Sequence, residues 1–170
     1  MSYKHINMGC CQKETNSFPK IIAIPGPVPT PNIGVLSYGS IRGDSLEIIS
    51  PIAAPIPFQQ VGPLSNVTVS PSGNELVVQS NGVYQIAISI NAQTTVEPDP
   101  LQSYFTVSIT VNGQPIFLDG LAIFNVLNRS SSTYVVQASL SAGDLVGVSA
   151  SSANPIANYA NRSLSIIQLS

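Results

Sequence analysis

An all-β protein, a sandwich or barrel of short strands, is what this sequence predicts. Runs in which apolar and polar residues alternate recur along most of the chain. Turn residues separate them roughly every 8–12 positions. No window carries a 3.6-residue apolar period with caps, so no helix longer than a turn is expected.

The first 33 residues stand apart from that pattern. Residues 1–20 hold every lysine, the single histidine (His5) and both cysteines, Cys10 and Cys11. Residues 21–33, IIAIPGPVPTPNI, are rich in proline, which fixes φ and removes a donor, so an extended arm is expected there. A tail and arm over 1–33 and one domain over 34–170 is the expected division.

From Gly34 the expected strands are IGVLSYGS (33–40), SLEIIS (45–50), a bent IPFQQVG (56–62), NVTVS (66–70) and NELVVQS (74–80). They continue with GVYQIAISINAQ (82–93), SYFTVSITV (103–111), QPIFLDG (114–120), STYVVQASL (132–140), LVGVSAS (145–151) and RSLSIIQLS (162–170). Alternation is clearest where Phe105, Val107, Ile109 and Val111 oppose Tyr104, Thr106, Ser108 and Thr110. It is as clear where Tyr134, Val136, Ala138 and Leu140 oppose Thr133, Val135, Gln137 and Ser139. Ser72-Gly73-Asn74, Asn81-Gly82 and Asn112-Gly113 read as hairpin signals between runs.

One strand poses a question. In NGVYQIAISI (81–90), Tyr84, Ile86, Ile88 and Ile90 make one apolar face, while Val83, Gln85, Ala87 and Ser89 make the other. A face turned to water ordinarily carries charge, and this one has none. The whole chain shares that trait: apolar residues are 44% and charged residues only 8% of it, against about 25% charged in ordinary soluble domains. No apolar run approaches the roughly 18 residues of a spanning helix, so no membrane insertion is expected. A Ser/Thr/Asn/Gln surface partly covered by other subunits accounts for the composition.

Several functions lack material. The formal charge is −2 and no basic cluster exists, which disfavours nucleic acid. One histidine, in the tail, leaves no acid–base pair, so no enzyme activity, cofactor or metal is expected. Asp119 and Asp144 read as turn acceptors, and Glu97 and Asp99, between prolines, as a loop with a calcium site as the sharper alternative. Arg42-Gly43-Asp44 matches an integrin-type tripeptide, but the commoner reading of so short a match is a turn with an Arg–Asp surface pair. The sequons at Asn66, Asn128 and Asn161 are expected by chance in a chain of this composition.

The residues that narrow the fold are Gly82, Tyr84 and Ile86 in GVYQI, and Leu140, Gly143, Asp144 and Val146 in LSAGDLVGV. In the second stretch Gly143 permits φ > 0 and the Asp144 side chain can accept from turn amides. With VNGQPI and the terminal LSIIQLS, this order of motifs resembles the TNF-like jelly roll. That fold includes the globular heads of complement component q and the C-terminal domains of bacterial spore-surface proteins. The nearer resemblance is to exosporium basal-layer proteins and to the C-terminal domain of collagen-like spore glycoproteins, over roughly residues 35–170.

The resemblance implies a homotrimer whose uncharged sheet faces meet neighbouring subunits. It also implies a structural role at the spore surface, in the exosporium or coat, with collagen-like spore glycoproteins and Cys-rich coat proteins as partners. Proteins of this group are made in the mother cell, so the N-terminus, MSYKHINMGCCQKE, needs no secretory signal. Cys10 and Cys11 then read as intermolecular cross-links rather than a bond to each other, whose ring is strained. Reduced tail thiols remain the alternative. A receptor- or glycan-binding head, as on a phage fibre or a TNF-like ligand, is the competing reading. It would need exposed aromatics, for which Tyr38 and Tyr159 are the candidates.

Overall fold

The computed structural model describes residues 36–94, 103–117, 122–125 and 131–170. His5, Cys10, Cys11, the proline-rich arm, Glu97, Asp99, Asp119, Asn128 and Arg129 lie outside them, as does the expected boundary at residue 34.

Among the described residues thirteen strands run in chain order: β1 Tyr38–Gly43, β2 Glu47–Ile48, β3 Ala54–Pro55, β4 Gln60–Ser65, β5 Val67–Val69, β6 Leu76–Val78 and β7 Gly82–Thr94, followed by β8 Tyr104–Val111, β9 Gln114–Pro115, β10 Ala122–Asn125, β11 Ser131–Leu140, β12 Leu145–Ser151 and β13 Ala157–Gln168. All described pairings are antiparallel. They form two sheets. Sheet A has the order β11-β7-β13-β1-β4 with β2 on β13; sheet B has the order β10-β8-β12-β6-β5 with β3 on β12 and β9 on β8. The first and last long strands are thus central neighbours, which is a jelly-roll arrangement rather than a meander.

The core lies between the sheets, and the alternation read from the sequence fills it. Tyr84, Ile86, Ile88 and Ile90 of β7 are fully buried, facing Phe105, Val107 and Ile109 of β8 and Val146 and Val148 of β12. Phe105 packs against Phe124 with ring centroids 5.5 Å apart. The Tyr84 hydroxyl avoids an unmet donor by giving its proton to the Ser80 carbonyl at 2.9 Å. In β11, Tyr134, Val136 and Ala138 are only half-buried, because β11 is an edge strand with one neighbour among the described residues.

Two turns behave as the sequence suggests. Asn112 and Gly113, at φ 52° and 78°, make the left-handed pair of a tight hairpin between β8 and β9. Gly143 has φ 95°, and the Asp144 carboxylate accepts from the Ser141 amide at 2.8 Å and the Asn112 side chain at 2.9 Å. Asn81-Gly82 differs. It joins β6 of sheet B to β7 of sheet A and makes no hairpin; the Asn81 side chain instead accepts from the Ala142 amide at 2.8 Å.

Strand limits differ where side chains other than the apolar ones decide. The first strand is Tyr38–Gly43, so Arg42 and Gly43 belong to it and do not form a loop between strands. The strand expected at 56–62 is β4 at Gln60–Ser65, an edge strand, which tolerates Pro63. The last strand begins at Ala157, five residues before Arg162, because a bulge between Ala160 and Ser163 lets it continue. Asn161, at φ 42°, supplies the left-handed residue of that bulge. Before the bulge Ala157 and Tyr159 face the core; after it Leu164 and Ile166 do.

The bulge turns Arg162 inward, so this arginine does not open the last strand but sits buried within it, 1% exposed. Its Nε donates to the Pro57 carbonyl at 2.6 Å, Nη1 to the Ser45 carbonyl at 2.6 Å, and Nη2 to Ser45 Oγ at 3.1 Å. Nη2 also pairs with the Glu47 carboxylate at 3.3 Å, and the guanidinium lies 5.3 Å from the Tyr159 ring centroid. Gly43 makes room for it: a Cβ there would stand 2.7 Å from Arg162 Cζ. One side chain therefore ties sheet A to the segment that leads from β1 through β2 toward β4.

Burial pushes the Tyr159 phenol up to about 12 from its ordinary 10.0; the Arg162 cation opposes that shift and the Glu47 anion adds to it. The folded protein keeps this proton at pH values where the unfolded chain has lost it. The contribution of Tyr159 is therefore complete below pH 10.0 and is lost as the pH climbs toward about 12. Thermal melts across that window should show the wild-type protein losing more stability than Tyr159→Phe. Equal losses in the two proteins would place the phenol in water.

Candidate functional site

With its inner face in the core, sheet A presents an outer face built in rows across its strands. The central row is Val135, Ala87, Ser165 and Ser40 from β11, β7, β13 and β1. On one side of it lie Gln137, Gln85, Ile167, Tyr38 and Ser65; on the other lie Thr133, Ser89, Ser163, Arg42 and Gln60. These rows contain one charge, Arg42, at a corner. Five strands at about 4.8 Å spacing make the face about 19 Å wide.

Three apolar side chains stand on this face without cover: Val135 at 50%, Ile167 at 47% and Tyr38 at 43% exposed. Beside them a shallow depression of about 400 Å³ is lined by Tyr38, Ser40, Pro63, Ser165 and Ile167. Hydroxyls on the face satisfy each other, as Thr133 does with Ser89 at 3.1 Å. The edge of the sheet is equally unguarded. β11 reads SSTYVVQASL, with no charge and no proline over its length. Natural edge strands usually carry one of those devices against pairing with another chain.

The sequence candidates fall in three groups. Tyr38 is on the exposed face, as a surface aromatic should be. Tyr159 is 5% exposed and packed under Arg162, so it is not a surface aromatic. Gly82, Tyr84, Ile86, Leu140, Gly143, Asp144 and Val146 are core or turn positions of the two sheets and do not gather into a site. Arg42, Gly43 and Asp44 line a second hollow, of about 330 Å³, with Gln60 and Ser163. The tripeptide does not protrude: Arg42 and Gly43 are paired in β1, and Gly43 is buried against Arg162. An integrin-type site needs a protruding loop, which is lacking here.

Sequence reading missed the Arg162 cluster. Its signal was parity, since Arg162 shares a face with Leu164 and Ile166 in RSLSII, and a lone charge at the start of an apolar run looks like a flank. Among the described residues no group of three or more His, Cys, Asp or Glu side chains is placed to hold a metal.

No family model and no curated protein matches this sequence. Solved structures do match its fold. The Eiger TNF from S. frugiperda is 13% identical, with a TM-score of 0.55 over 79% of this chain and 93% of that one. The globular domain of the zebrafish complement 1qA protein is 12% identical, with a TM-score of 0.55 over 79% of this chain and 98% of that one. The fold is a TNF-like jelly roll.

Proposed function

We propose that the chain is a structural assembly module: a homotrimeric jelly-roll head whose copies pack through the outer face of sheet A. The observation that carries this reading is that the face holds a single charge, Arg42 at its corner, with Tyr38, Val135 and Ile167 left half-exposed on it. Water-facing sheets carry charge because an apolar or neutral face invites association. A second subunit is the cover that this face fits. The fold shared with a TNF and with a complement head supports a ring of like subunits, and cyclic symmetry closes such a ring.

The finer reading is a spore-surface role, in exosporium or coat, anchoring or displaying collagen-like glycoproteins and Cys-rich coat proteins. What supports it is the motif order GVYQI, VNGQPI, LSAGDLVGV and LSIIQLS, together with a low-charge composition and a cysteine-bearing tail. Antibody labelling of intact spores tests it. Label on the outer layers is the expected result, and label confined to the cell interior would overturn it. A receptor- or glycan-binding head, which the TNF-like fold fits equally well, loses Tyr159, which is buried, and keeps Tyr38 of its two aromatics.

The tail makes a separate prediction. Oxidation of Cys10 and Cys11 should join trimers into large species on non-reducing gels, since a thiolate can attack a disulfide on any neighbour within reach. Replacing both with Ser should abolish those species and leave the melting temperature unchanged. A much lower melting temperature would make the tail part of the folded core.

A further inference from the structure

Six charged side chains fall within the described residues: Arg42, Asp44, Glu47, Glu75, Asp144 and Arg162. Arg162 and Glu47 pair with each other, and Asp144 caps its own turn. Arg42 is exposed on the outer face of sheet A; its carbonyl accepts from the Gln59 amide at 3.0 Å, but its guanidinium makes no hydrogen bond or ion pair among the described residues. Asp44, also exposed, receives only the Gln60 amide, at 3.4 Å. The two opposite charges line the same hollow yet do not pair within the chain.

Burying this face against other copies brings that corner out of water. In a cyclic assembly every subunit contributes the same Arg42, so like charges approach one another as the interface forms. Each guanidinium then needs a carboxylate that is not already committed. Asp44 is the one placed at the same corner, and each neighbour brings its own copy of it to the interface. We propose that Arg42 of one subunit pairs with Asp44 of the next, closing the ring head to tail. This rests on self-association through the outer face of sheet A. The occupant of the hollow is thus a second copy of this chain.

The test is a charge swap in the full chain, with reductant, read as the dissociation constant of the assembly by sedimentation. Arg42→Glu and Asp44→Arg should each raise it by about tenfold or more, because each places like charges across the contact. The double variant Arg42→Glu/Asp44→Arg should return it to within about threefold of wild type. Circular dichroism melts check that each variant still folds, and the conservative pair Arg42→Gln and Asp44→Asn replaces any that does not, with weakening still expected. An assembly indifferent to the single changes, or a double variant weaker than either single one, overturns the ion pair while leaving the self-association intact. A wild-type chain that sediments as a monomer overturns the self-association itself, and the ion pair with it.

Discussion

Arg162→Met should lower the melting temperature by about 10 °C. The change removes four hydrogen bonds and leaves the carbonyls of Pro57 and Ser45 without their donor. It also strands Glu47, whose side chain is 32% exposed and keeps only Ser45 as a partner. Removing one member of a buried pair costs about 3–5 kcal/mol, and the partial exposure of Glu47 places this case near 3. For a domain of this size about 3 kcal/mol is worth roughly 10 °C. Arg162→Lys should recover little, since one ammonium cannot reach the two carbonyls that the planar guanidinium spans. A melt of Arg162→Met within 2 °C or so of wild type would show that the 44–57 segment is held by its apolar contacts alone.

The second large effect is on assembly. Ala87 sits in the middle of the central row, between Val135 and Ser165, half-buried in the single chain. Ala87→Glu in a free subunit puts a carboxylate into water, which costs the fold little, within about 0.5 kcal/mol for an ordinary surface change. In a trimer it would bury three unpaired carboxylates at several kcal/mol each. The dissociation constant should therefore rise by at least about a thousandfold, leaving a folded monomer. Thr68→Glu, at the exposed position of edge strand β5 of sheet B, is the control and should leave assembly as it was. Equal behaviour of the two variants would move the contact surface away from sheet A.

The layers of this fold were legible because apolar alternation is a direct record of burial. Tyr84, Ile86, Ile88 and Ile90 announce a buried face, and all four are buried. Gly143-Asp144 and Asn112-Gly113 were legible because positive φ and short polar caps leave few residue choices. Sheet membership was not. Asn81-Gly82 looks like a hairpin and is a crossing between sheets, since a dipeptide carries no information on which sheet follows it. The bulge at Asn161 and the inward turn of Arg162 were hidden for a related reason. A bulge shifts the parity of the strand, and residues 157–161 then alternate out of phase with 164–166. The neutral face of β7 could be read as an anomaly from its sequence, but only the register with β13, β1 and β11 extends it into a continuous surface.

If copies associate through that surface, sedimentation equilibrium of the full chain in reductant over a wide concentration range should give a mass of three chains that persists on dilution. A mass of one chain at every concentration would contradict it.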